Sequence, residues 1–345
     1  MLLLALSALA EETRPFTVTP GGWVRPAVAW QQDDPGLGSA ADGFSVEARM
    51  GLEAVAEPIG VRARVEMEFA PDPSLKDAFV NYTPVPYFSL NAGQFKVPFS
   101  IHRLSSDTKR QLPTDPRLAN AMGIEREIGA SAEGRLFLAQ KPRLSLTSGV
   151  FNGEGSNVAE NGNDRFMLAQ RVLLAPLGMR ERPFEGTGRD PYVGVGGGWI
   201  YNRTGADEAA EETNILQVEL QAAVGVFSIQ GEYADREVVH ASADLADYHA
   251  TAAYGQLGCF IPVKWASEHL EVVARGGWTE PNDALDSAPE ELATVDVDAG
   301  LNLYVPRTPK WMHDVKLAAA YRHSIQLEGD ELEDDRVDAN FTVRF

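Results

Sequence analysis

Five basic residues, Arg103, Lys109, Arg110, Arg117 and Arg126, fall between residues 98 and 126 among only three acids, Asp107, Asp115 and Glu125. Gathered on one segment, such groups can hold carboxylates or phosphates, Arg through paired N–H donors and Lys as a point charge. The same groups could equally brace the segment by pairing with acids elsewhere in the chain. Other chemistries find no support in the spacing. The six histidines show no HExxH pattern. His323 and Ser324 are adjacent, so on a strand they point to opposite faces and make a poor nucleophile–base pair. Gly194 to Gly198 (GVGGG) lacks the lysine and following helix of a phosphate loop and reads as small residues in a strand at a subunit contact. The single cysteine, Cys259, excludes a disulfide framework and a multi-cysteine metal centre. No catalytic residue, metal ligand or cofactor is expected.

The elements around this segment repeat at period two. In 336–345, Val337, Ala339, Phe341, Val343 and Phe345 share one face, and Asp338, Asn340, Thr342 and Arg344 the other. The same alternation runs through 44–54, 61–69 and 295–305. Strands are predicted at 16–30, 43–56, 60–69, 76–83, 88–97, 127–137, 143–151, 164–174, 190–202, 213–224, 226–238, 246–260, 267–279, 292–305, 312–326 and 334–345. Many exceed the five or six residues typical of a sandwich, and about ten alternating residues between turns is the signature of a transmembrane barrel. The expected fold is all-β, a 16-stranded antiparallel transmembrane β-barrel, with its apolar face to lipid and its polar face to a watery lumen. The connection 175–189 is the one long member of an otherwise short set, and a hairpin hidden there would make the count eighteen.

Charge sorts by end. The alternate connections 31–42, 70–75, 152–163, 203–212, 239–245, 280–291 and 327–333 carry acids, with Arg203 their only base. The short turns hold bases such as Lys141, Lys264, Arg307 and Lys310. The formal charge of −20 argues against a nucleic-acid partner, which needs a cationic footprint. Placed in external loops, those acids suit a lipopolysaccharide surface bridged by divalent cations. Residues 1–10 (MLLLALSALA) read as the remnant of a secretory signal peptide, leaving 11–345 as one barrel. Trp23, Trp30, Tyr82, Tyr87, Trp199, Tyr201, Trp265, Trp278, Tyr304 and Trp311 lie near strand ends, as aromatic girdles would. The polar faces put Arg49, Arg62, Arg64, Lys96, Arg171, Arg275 and Arg322 in the lumen, with acids between them. Lys96 shares the parity of Leu90 and Ala92, so a bulge near Gly93 is expected to turn it inward.

An ordered series of motifs resembles the phosphate-selective porin O and P family across roughly 40–345. Asp77-Ala78-Phe79-Val80 precedes Gly93-Gln94-Phe95-Lys96-Val97-Pro98-Phe99-Ser100, then Arg126-Glu127-Ile128-Gly129 and Gly149-Val150-Phe151-Asn152-Gly153-Glu154-Gly155. Phe227 to Tyr233, Glu280-Pro281-Asn282-Asp283, Gly300-Leu301-Asn302 and the terminal strand follow. The resemblance implies a sixteen-stranded trimeric barrel in the outer membrane of a Gram-negative bacterium. It also implies passive diffusion of small hydrophilic solutes, anions and phosphate among them, and no enzyme activity. Loop 98–126 is the third external loop, which in general porins folds into the lumen and narrows it. Arg103, Lys109, Arg110 and Arg117 would then line the constriction, where basic groups lower the barrier to anions. Phosphate-selective members carry a basic ladder, whereas this wall is mixed in sign. An outer-membrane barrel enzyme and a secreted soluble β-rich adhesin are the alternatives.

Overall fold

The computed structural model describes residues 16–32, 42–179, 191–206, 209–264, 269–284, 293–305, 315–327 and 335–345. Sixteen strands form the wall: β1 (Thr17–Gln31), β2 (Gly43–Ala56), β3 (Val61–Ala70), β4 (Ser74–Val85), β5 (Phe88–Lys96), β6 (Arg126–Leu138), β7 (Lys141–Phe151) and β8 (Met167–Leu174). The second half is β9 (Tyr192–Thr204), β10 (Glu211–Val224), β11 (Phe227–His240), β12 (Tyr248–Phe260), β13 (Leu270–Glu280), β14 (Thr294–Tyr304), β15 (Val315–Gln326) and β16 (Arg336–Arg344). Each pairs antiparallel with its neighbours in sequence, and β16 closes on β1. Phe345 and Gly22 exchange both backbone hydrogen bonds at that seam, each 3.0 Å. Because β8 pairs directly with β9, the wall closes at sixteen strands rather than eighteen. Residues 1–10 and 180–189 lie outside the described residues, as do Trp265 and Trp311.

Alternation decides which way each side chain faces. On β10, Leu216, Val218 and Leu220 are exposed outward, while Gln217, Glu219 and Gln221 are buried inward. The same division puts Val297 and Leu301 outside β14 and Asp296, Asp298 and Asn302 inside. No helix among the described residues is long and apolar enough to cross a membrane, so any crossing is made by strands.

Two expectations need correction. Trp23 and Tyr304 do not belong to an outer girdle. Both are buried, Trp23 under the guanidinium groups of Arg25 and Arg49 at 5.1 and 5.0 Å from its ring, and Tyr304 against Glu271. Their parity, inward on β1 and β14, overrides the preference of their residue type for an interface. The bulge near Gly93 is also absent, since β5 pairs with both neighbours there in unbroken register. Gly93 instead takes φ +126°, and a Cβ at this position would meet the carbonyl oxygen of Ala78 at 2.2 Å. That twist buries both Gln94 and Phe95 and lets Lys96 reach inward.

Val218 sits mid-strand on the outer face. Val218→Arg should lower unfolding stability in lipid by about 2–4 kcal/mol, read by urea titration in vesicles. An unchanged midpoint would mean that this face does not meet hydrocarbon.

Candidate constriction site

Between β5 and β6 the chain leaves the wall and folds across the barrel interior. The Val97 N–H donates to the Glu125 carbonyl at 3.0 Å, which holds the neck together. Ser100, at φ +60°, turns the chain inward, and its Oγ accepts from the Arg103 N–H as the cap of α1 (Ile101–Leu104). A 3-10 turn at Asp107–Lys109 follows, then α2 (Arg117–Met122), which ends at Gly123 with φ +66°. Phe99, Leu118 and Met122 join Phe95, Phe151, Met167, Ile200 and Ile215 in one buried cluster. The inner wall is therefore apolar where the loop replaces water, not polar throughout. Each large side chain buried this way contributes about 1.5–3 kcal/mol, enough in sum to hold the loop inside.

Polar contacts fix its height. Arg275 and Arg322 share the Asp298 carboxylate at 2.9 and 2.8 Å, and both also donate to loop carbonyls, at Thr114 (2.9 Å) and Asp115 (2.7 Å) respectively. Lys316 donates to the Arg110 carbonyl at 2.6 Å and Lys96 to that of Ser105 at 2.7 Å. Arg117 pairs with Asp296 at 2.9 Å and donates to Ser324. Ser324 thus faces inward while His323 meets Asp335 on the outside, so the two cannot act together. Arg171 pairs with the buried Glu219. Arg62 and Arg64, near the short-turn end, pair with Glu53 and Glu66. Within GVGGG, Gly196 and Gly198 make room inward, for Glu219 and Phe99.

The loop leaves a basin of about 440 Å³ against β1–β6. Its lining holds seven bases, Arg25, Arg49, Lys76, Lys96, Arg103, Arg110 and Arg126, and six acids, Glu47, Glu68, Asp72, Asp107, Asp115 and Glu125. Of the sequence candidates, Arg49, Lys96, Arg103 and Arg110 meet here. Lys109, Arg117, Arg62, Arg64, Arg171, Arg275 and Arg322 do not line it. Arg25 and Lys76 were missed. Arg25 was legible from the alternation with Val24 and Pro26, whereas Lys76 shares the parity of the outward Val80 and Tyr82 and reaches the basin at the register shift between β3 and β4. A chain of charges crosses the basin floor. Arg49 donates to Glu68 and Asp107, each at 2.5 Å, and Arg110 to Asp107 (2.9 Å) and Asp115 (2.6 Å). Neither Lys76 nor Lys96 forms an ion pair among the described residues, and the Lys96 ammonium meets the Ser105 carbonyl instead.

The profile of the family described as phosphate-selective porin O and P matches residues 44–177. No curated protein sequence matches the chain. Among solved structures, an anion-selective porin from Comamonas acidovorans superposes with a TM-score of 0.66 at 12% identity, covering 95% of this chain and 99% of that one. The outer-membrane channel DcaP of Acinetobacter baumannii gives 0.64 at 14% identity, over 97% and 99%. The OmpT trimer form of Vibrio cholerae gives 0.60 at 10% identity, over 96% and 100%. The fold is that of the porins, and the family resemblance read from the sequence is matched by the profile in the first half of the chain.

Burial pushes the Asp107 and Asp115 carboxyls up, but Arg110, with Arg49 for the first and His102 for the second, outweighs it and holds both well below their ordinary 3.8. Carboxyls depressed in the folded state stabilise it above their unfolded pKa and lose that contribution only as pH falls through the folded value. The loop's ion pairs therefore persist through mild acid. Loop 98–126 should keep the same protection from limited proteolysis from about pH 8 to pH 5, and cleavage appearing in that window would contradict these pairings.

Proposed function

We propose that the protein is an outer-membrane porin that gives small hydrophilic solutes a passive, water-filled path, with a modest preference for anions. The observation that carries this reading is the closed barrel, apolar outside, with an inward loop that leaves a charged basin against β1–β6, and we take that basin as the narrow passage. Arg103 and Arg110 supply the loop's basic groups there. Lys109 and Arg117 serve the loop's structure. The anion preference rests on the slight excess of bases over acids and on the Lys76 ammonium, which has no ion-pair partner among the described residues. Most other cations are spent on internal carboxylates, so a strong phosphate site is not favoured over general anion passage. The anion-selective porin among the structural neighbours supports the same sign.

The outer membrane of a Gram-negative bacterium follows from the same reading, as does contact with lipid and lipopolysaccharide. A homotrimer is the proposed assembly, since a neighbour of this fold has a trimer form. A barrel enzyme lacks an assembled catalytic group among the described residues, and a soluble adhesin would not display so many large apolar side chains outward.

Reversal potentials in asymmetric KCl test the proposal. The wild type should favour chloride, Lys76→Glu should abolish that preference, and Arg110→Glu should reverse it. Arg117→Glu, outside the basin, should shift the potential less than Arg110→Glu. Absence of any stepwise conductance would reject the porin assignment. An equal response to all three substitutions would mean that the basin is not the passage.

A further inference from the structure

One of the loop's buried polar anchors is an uncharged side chain. Gln111 follows Arg110, yet its side chain is buried on the far wall from the basin, at 2% exposure. Its Nε2 donates to Glu271 at 2.6 Å and to Ser228 at 3.0 Å. Its Oε1 accepts from Gln256 at 2.8 Å, and its carbonyl accepts from Asn302 at 2.7 Å. These four partners stand on β11, β12, β13 and β14, so one residue is tied to four consecutive strands.

The wall is shaped to receive it. A Cβ at Gly258 would lie 2.1 Å from Gln111 Nε2, and one at Gly300 would lie 2.3 Å from the next loop residue, Leu112. Both strand positions omit a side chain where a loop side chain enters. Glu271 is fully buried, and neutral donors meet its two oxygens: Gln111 on one, Asn302 and Tyr304 on the other. A buried carboxylate deprived of a donor bears the cost of its desolvation, so Glu271 gives the Gln111 contact its strength.

We propose that Gln111 is the positioning residue that sets the width of the passage, by fixing how closely the loop is drawn to the β11–β14 wall and so how much lumen stays open on the other side. This deepens the porin reading and rests on it. Arg275, Arg322, Lys96 and Lys316 each reach out to a loop carbonyl, whereas the Gln111 side chain itself enters a socket in the wall.

The test uses the full-length protein in planar bilayers and in liposome swelling with neutral sugars of increasing size. Gln111→Met keeps the chain length and removes both amide groups. Gly258→Ala closes the socket from the wall side. In both, conductance should fall roughly twofold as the loop moves off the wall into the open lumen, and the largest sugars that the wild type admits should be excluded, while the folded barrel keeps its heat-modifiable gel mobility. A merely structural role would lower the temperature of that mobility shift and leave the sugar exclusion limit in place. Wild-type conductance and exclusion limit in both variants would overturn the proposal while leaving the porin reading intact. A wild type that fails to conduct would overturn the porin reading, and this proposal with it.

Discussion

In hydrocarbon, a backbone N–H or C=O has no water to turn to, and a sheet meets that demand only by closing on itself. The ladder from β1 through β16 and back to β1 is the structural answer, and the rest of the molecule follows from it. Closure gives every strand an outer face that must be apolar and an inner face that need not be. It leaves the lumen as the one interior volume where charge can be kept. A segment that enters that volume then has to find partners on the inner wall, because its own backbone is no longer exposed to bulk solvent.

The lumen solves a second problem, the cost of burying guanidinium groups. An ion pair that loses one partner in a low-dielectric setting costs about 3–5 kcal/mol, so basic residues deep in the barrel come with carboxylates. Arg275 and Arg322 share Asp298, Arg171 has Glu219, and Arg126 has Asp77. Two of these cations, Arg275 and Arg322, have a further hydrogen bond directed at a loop carbonyl. They therefore act as struts whose charge has been cancelled. A tally of basic residues on polar faces overstates the positive potential that a passing solute would meet.

The parts of this arrangement differ in how legible they are in the chain. Period-two alternation is imposed by lipid at each position along a strand, so all sixteen strands could be placed from residues alone. Facing follows from parity, and the misplacements came where residue type was given more weight than parity, as with Trp23 and Tyr304. Inside the barrel the sequence is a weaker guide. Phe99, Leu118 and Met122 become a core only because Phe151, Ile200 and Ile215 arrive from distant strands. Gln111 carries no local signal either, since its four partners lie on strands more than a hundred residues away. Gly258 and Gly300 look like ordinary strand glycines until the loop side chains that fill their space are known.

Selectivity in such a lumen is a small difference between large, nearly balanced sums. The loop taken alone has two more bases than acids, and the basin lining has one more. The bulk charge of −20 has the opposite sign, but acids on distant loops are screened within about 8–10 Å at physiological salt and leave the constriction to its own groups. Within the basin the salt-bridged cations contribute dipoles, which fall off faster with distance than a charge does. An ammonium without an ion-pair partner among the described residues then outweighs several paired guanidiniums in the same lining. On this argument Lys76, with no carboxylate partner among the described residues, adds more to the resting potential than any one paired arginine, whereas Arg110 matters through the two carboxylates, Asp107 and Asp115, that it keeps neutralised.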